Sequence, residues 1–107
     1  MKSTMMHQPL SVPSIIRFAA ENHSEQQIVS QLCPGRTYRT NYAETHQRIA
    51  QLAHALRALG IGEGDVVGTI AWNSYRHFEL YYAIAGLGAV CHTINPRMGA
   101  KRLAWVL

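Results

Sequence analysis

The chain has 107 residues, enough for one small domain or for part of a larger one. Hydrophobic residues make up 48% and charged residues only 15%, which excludes intrinsic disorder and leaves little charge for the surface of a free-standing domain. The formal net charge is +4, but the eight arginines run from Arg17 to Arg102 without a cluster and Lys2 and Lys101 stand apart, so the charge pattern argues against a nucleic-acid partner.

Residues 1–10 read as a flexible leader. Pro13 then sits in the first turn of a short helix with Ser11 as its cap, and Ile15, Ile16, Ala19 and Ala20 form a stripe that stops near Asn22 and His23. Residues 27–32 and 37–40 are expected as strands of a hairpin. Between them Cys33-Pro34-Gly35-Arg36 has type II turn chemistry, proline setting the first φ and glycine accepting the positive one. Asn41-Tyr42-Ala43-Glu44 has the form of a capping box. Behind it Thr45, Ile49, Leu52, Leu56 and Leu59 keep helical spacing over residues 42–59, until Gly60 ends the helix.

After a turn carrying Gly60, Gly62 and Gly64, residues 66–72 read as an apolar strand covered on both faces. Residues 75–87 read as a helix with Phe78, Tyr81, Tyr82, Ala85 and Gly88 near one register, and Gly86-Leu87-Gly88 as a place of close packing. Residues 90–94 form a second apolar strand, stopped by Asn95-Pro96. Strand, helix and strand over about thirty residues predict a βαβ unit with parallel strands. A last helix is expected from near Gly99, with Leu103, Trp105, Val106 and Leu107 exposing an apolar end that suits a chain continuing into a larger domain.

Several chemistries find no support. Gly60-Ile61-Gly62-Glu63-Gly64 looks like a phosphate loop, but it follows a helix and opens a strand, the reverse of a dinucleotide fingerprint. The histidines match no metal motif. His46 and His54 share a helix but point about eighty degrees apart, and His92 reads as a core or site-lining residue of its strand. Cys33 and Cys91 stand in no CxxC spacing and read as reduced, partly buried thiols of a cytoplasmic protein; Cys91 and His92, as strand neighbours, face opposite ways. The longest apolar run, residues 80–91, is too short to span a bilayer, and no signal-peptide core interrupts the polar amino terminus.

One positional feature points to binding. Parallel α/β sheets gather ligands beyond the carboxyl ends of their strands. Those ends are Trp72-Asn73-Ser74-Tyr75-Arg76-His77 and Ile94-Asn95-Pro96-Arg97, where Arg76 and Arg97 are suited to an anionic ligand. Ordinary surface loops remain the competing reading.

The order of these segments resembles the start of the adenylate-forming, AMP-binding enzyme family. The resemblance rests on Asn41-Tyr42-Ala43-Glu44, Leu52-Ala53 through Leu59-Gly60, Gly64-Asp65-Val66-Val67, and Gly88-Ala89-Val90 through Asn95-Pro96-Arg97. The stretch from Ala71 to Tyr82 is similar to fatty acyl-CoA synthetases and to methylmercaptopropionate-CoA ligases. The resemblance implies an α/β fold in which residues 11–107 form the amino-terminal part of the large domain of an acyl-CoA synthetase. Such enzymes use ATP and Mg²⁺ to join a carboxylic or fatty acid to CoA, releasing AMP and PPi. It also implies that Asn95, Pro96 and Arg97 lie near the CoA entrance. The family's phosphate loop and catalytic lysine have no counterpart here, Lys101 following no such loop, so no catalytic or metal-binding residue is expected and the chain alone is expected to be inactive. Met98-Gly99-Ala100-Lys101-Arg102 departs from the family's usual helix start, which suits a truncated or drifted copy. A non-enzymatic remnant that docks on another subunit, and a small nucleotide binder, are competing readings; a homodimer and docking to the remainder of an enzyme both stay open.

Overall fold

In the computed structural model, residues 4–106 are described. Residues 4–11 carry no helix or strand and are exposed, and the first three residues of the expected leader lie outside the described residues, as does Leu107. Helix α1 (Val12–Asn22) starts with a proline in its first turn, where a missing N–H costs nothing. Ser11 occupies the cap position but makes no side-chain cap; its carbonyl instead accepts from both the N–H and the hydroxyl of Ser14. The buried position of α1 is Ile16, while Ile15, expected on the same stripe, is exposed with Phe18.

Strands β1 (Gln27–Cys33) and β2 (Arg36–Asn41) pair antiparallel around Pro34-Gly35, with Gly35 at φ 78°. Helix α2 (Tyr42–Ala58) begins where Asn41 Oδ1 accepts the Glu44 N–H at 2.8 Å. The second half of the expected capping box is absent: Asn41 is paired with Gln27 in the hairpin, and the Glu44 carboxylate accepts from the Thr40 hydroxyl at 2.9 Å. At the other end the N–H groups of Gly60 and Ile61 reach the carbonyls of Arg57 and Leu56, a Schellman closure. That closure turns Leu59 outward, so the apolar stripe of α2 stops at Leu56.

Strands β3 (Val66–Ile70) and β4 (Val90–Ile94) pair in parallel, Val66 against Val90 and Ile70 against Ile94, and helix α3 (Tyr75–Gly86) connects them. The expected strand end at Trp72 is two residues too long. The expectation of two covered faces also fails: Val66 and Val90 are more than half exposed, and His92, expected as a core or site-lining residue, is exposed beside them and lines no described cleft. Among the described residues this sheet has only two strands, and of its outer face only Ile94, at the carboxyl end of β4, is buried. Helix α3 ends at Gly86, so of the two glycines expected to pack tightly within it only Gly86 is helical. A Cβ on Gly86 would meet nothing, whereas Gly88 has φ 74° and would bring a Cβ within 3.1 Å of the Glu63 Cγ. Gly88 is therefore a turn residue held beside the α2–β3 connection, where the Gly64 N–H also donates to the Gly88 carbonyl. Helix α4 (Ala100–Val106) buries none of its residues, and Trp105 is 87% exposed.

The core lies between α1, α2 and α3. Ile16, Ile49 and Ala83 form its centre, ringed by Tyr42, Leu52, Leu56, Phe78 and Tyr82. Ile84 and Leu87 at the end of α3 and Ile94 at the end of β4 are buried outside that cluster. One carboxylate enters this interior. Glu79 is 4% exposed, and both its oxygens are engaged by Arg48 of α2, at 2.6 Å from Nε and 3.1 Å from Nη2. The hydrogen bond to Glu79 raises the Arg48 guanidinium above the usual arginine range, against the opposing effect of desolvation. Tyr75, stacked on Tyr38 of the hairpin at 3.9 Å, packs beneath the same guanidinium.

Glu79→Ala is expected to lower stability by about 1–2 kcal/mol, less than for a fully buried pair because Arg48 can turn to water. An unchanged urea midpoint would show that the pair contributes nothing. Burial, with a smaller contribution from Tyr42, raises the Tyr82 phenol above its ordinary value. A raised folded-state pKa gives stability that is present below the unfolded value and is lost as pH rises through the folded one. Tyr82→Phe should therefore flatten the alkaline fall in stability above about pH 10, read as urea midpoints across that range.

Candidate functional site

Because Ile70 and Ile94 are register partners, β3 and β4 end level with one another, and the two following loops leave the sheet side by side. Residues 71–74 carry Trp72 and Asn73. Residues 95–98 form a turn in which the Met98 N–H donates to the Asn95 carbonyl and the Arg97 N–H donates to Asn95 Oδ1, at 3.0 and 2.9 Å. Pro96 fixes the backbone between them. The turn sends Arg97 back across the gap, with its guanidinium 5.1 Å from the centre of the Trp72 ring.

These loops form one side of a cleft of about 740 Å³. Asn95, Pro96 and Arg97 all line it, together with Trp72 and Asn73, so the structure brings the three sequence-selected residues to one wall. Arg76 is not among the lining residues; it is exposed and lies 5.3 Å from the centre of the Tyr75 ring. The other side of the cleft is built by Gln31 and Leu32 of the hairpin and by His77 and Tyr81 of α3. The hairpin contribution carries no signal in the sequence, because it depends on how β1 is placed against α3.

His77 belongs to the segment singled out at the strand end, but its role depends on packing. It is 5% exposed, with Nε2 3.1 Å from the Thr69 hydroxyl and its ring 4.8 Å from that of Tyr81. The Thr69–His77 spacing is that of a nucleophile and its base, yet both side chains are buried, so the pair joins α3 to β3 and offers no exposed hydroxyl for attack. Its Nδ1 has no hydrogen-bond partner among the described residues.

Electrostatically the cleft is one-sided: Arg97 is its permanent cation and no aspartate or glutamate lines it. The Gln31 carboxamide is engaged within the hairpin, by the Cys33 carbonyl and the Thr37 hydroxyl, which leaves Asn73, Asn95 and the Arg97 guanidinium to meet a ligand that is anionic at one end. No group of three or more His, Cys, Asp or Glu side chains among the described residues is placed to hold a metal ion. Cys33 is exposed and Cys91 half-buried; neither lines the cleft, and the expectation of two partly buried thiols is corrected for Cys33, which sits at the hairpin turn.

Comparison with known proteins finds relatives along most of the chain. The AMP-binding enzyme family matches residues 16–107. The chain is 45% identical over 105 residues to a long-chain-fatty-acid–CoA ligase of Thermus thermophilus, covering 98% of this chain and 19% of that protein. It is 43% identical over 107 residues to a 3-methylmercaptopropionyl-CoA ligase of Ruegeria lacuscaerulensis, covering 100% of this chain and 20% of that one. Among solved structures, a Mycobacterium tuberculosis fatty acyl CoA synthetase superposes with a TM-score of 0.75 at 30% identity, over 91% of this chain and 19% of that chain. The chain thus spans about one fifth of the length of the relatives it matches. With a family match that takes in the hairpin, the parallel strand pair and both walls of the cleft, the chain belongs to the AMP-binding enzyme family.

Proposed function

We propose that residues 11–107 form the amino-terminal part of the large domain of an ATP-dependent acyl-CoA synthetase acting in the cytoplasm. The reaction joins a carboxylic or fatty acid to CoA and converts ATP to AMP and PPi. The observation that carries this reading is the 45% identity to a long-chain-fatty-acid–CoA ligase, sustained over 98% of the chain. The cleft supports it: Asn95, Pro96 and Arg97 form a cationic rim at the strand ends, suited to the CoA entrance. ATP and Mg²⁺ supply an activated acyl-adenylate in such enzymes. The residues described here contribute the CoA-facing wall and no ligand set for either.

A second reading is favoured by the open sheet face. Val66, Ile70 and Val90 are each at least half exposed, an apolar surface of the kind that marks an interface. On this reading the chain is a non-enzymatic module that packs on another subunit through that face.

The 107-residue chain is expected to form no acyl-adenylate from ATP and a fatty acid; product detected above a no-protein control would overturn that expectation. In a full-length ligase carrying this segment, Arg97→Ala should raise the KM for CoA about tenfold, the scale of one charge-assisted hydrogen bond. ATP–pyrophosphate exchange, which precedes CoA, should be unchanged. An unaltered KM for CoA would remove Arg97 from the CoA entrance while leaving the ligase reading intact.

A further inference from the structure

A second recess lies between the three helices and shares no lining residue with the strand-end cleft. Its volume is about 240 Å³. Ile16 and Ile49 form a buried floor, and Ala50 and Ala53 leave a furrow along α2 where larger side chains would fill the space. The polar groups of the wall are His46, His54 and Arg57 of α2 and Tyr82 of α3; no aspartate or glutamate lines it.

These groups are not scattered. At about 100° per residue, positions 46, 50, 53 and 57 follow one side of α2, and His54 and Arg57, three residues apart, are surface neighbours at one end of the furrow. No ion pair or side-chain hydrogen bond engages either of them among the described residues. The Ala43 N–H donates to the Ser24 carbonyl, which joins the end of α1 to the start of α2. The two helices therefore run antiparallel, bringing the first turn of α1, with Pro13, to the His54–Arg57 end. The carbonyls of Ala55, Leu56 and Arg57 in α2 and of Ile84 and Ala85 in α3 accept from the N–H groups that close the two helices, and Arg57, in the last turn of α2, offsets the negative end of that helix.

We propose that this recess binds a soluble amphiphilic anion, its alkyl chain along the Ile16–Ile49–Ala53 furrow and its phosphate- or carboxylate-type headgroup on Arg57 and His54. A recessed apolar floor with one cationic end takes up a single amphiphile; it does not present the broad basic surface that a bilayer requires. The proposal rests on the groove and is independent of the ligase reading.

The test is titration of the chain with octyl phosphate below its micellar range, followed by amide resonances in two-dimensional NMR. Octyl phosphate has no carboxylate to activate, so binding is separate from any ligase turnover. Saturable shifts are expected along residues 49–57 and 82–87, with affinity about fivefold tighter than for 1-octanol, the scale of an exposed charge contact. The double variant His54→Gln, Arg57→Gln should lose that preference while keeping its affinity for 1-octanol, which also shows that the groove remains folded. Equal affinity for the two probes, shifts centred on the strand-end cleft, or no saturable shift would overturn the proposal. Binding to phosphatidylglycerol vesicles without binding of the monomer would also overturn it, in favour of a membrane surface.

Discussion

A carboxylate buried to 4% exposure must be met by a cation and by hydrogen bonds, and Glu79 imposes that demand on the whole molecule. Arg48 meets it from α2, which fixes the rotation and height of α3 against its neighbour. The same stretch of α3 holds two further side chains with specific partners. Tyr75 lies on Tyr38 of the hairpin, and His77 reaches Thr69 of β3. Three consecutive odd positions of one helix thus tie it to three different elements. If α3 turned or slid, all three contacts would be lost together, along with the packing of Ala83 and Ile84, both of which are fully buried.

This explains why the cleft is an assembled feature. Its floor and one wall come from the parallel strand ends, which owe their level finish to the β3–β4 register. The opposite wall comes from β1 and α3, and the stacking of Tyr38 on Tyr75 is one of the contacts that hold the hairpin to that helix. The hydrogen bond between Asn95 and the Arg97 backbone then directs a guanidinium across the opening to the indole of Trp72. The binding chemistry is local to two loops, but their usefulness depends on helix contacts elsewhere.

What could be read from the sequence follows the range of the interactions. The turn at Pro34-Gly35, the cap at Asn41 and the stop at Gly60 are decided within a few residues, and they stand where the residue types place them. The wall residues Asn95, Pro96 and Arg97 were legible because the strand–helix–strand order puts the loops at one end of the sheet. Arg76 was selected by the same logic but lies outside the cleft, because the first turn of α3 directs it to Tyr75. Apolar patterning misled at Val66, Val90 and His92, since an apolar strand looks the same whether or not its second face is covered. The partnership of His77 with Thr69, and of Glu79 with Arg48, depends on how helices meet, which periodicity does not encode.

The two strand pairs also impose an order on how this chain reaches its shape. Ile28 meets Thr40 across a tight turn, a closure available as soon as the hairpin residues exist. Val66 meets Val90 only after the whole of α3 has folded back between them. Formation of the parallel pair therefore waits on the helix, and the helix in turn is steadied by contacts to α2 and the hairpin that precede it in the chain. During synthesis from the amino terminus, α3 finds α2 and the hairpin already made, whereas β3 waits for β4. The cleft, which needs the final strand, is the last of these features to be completed.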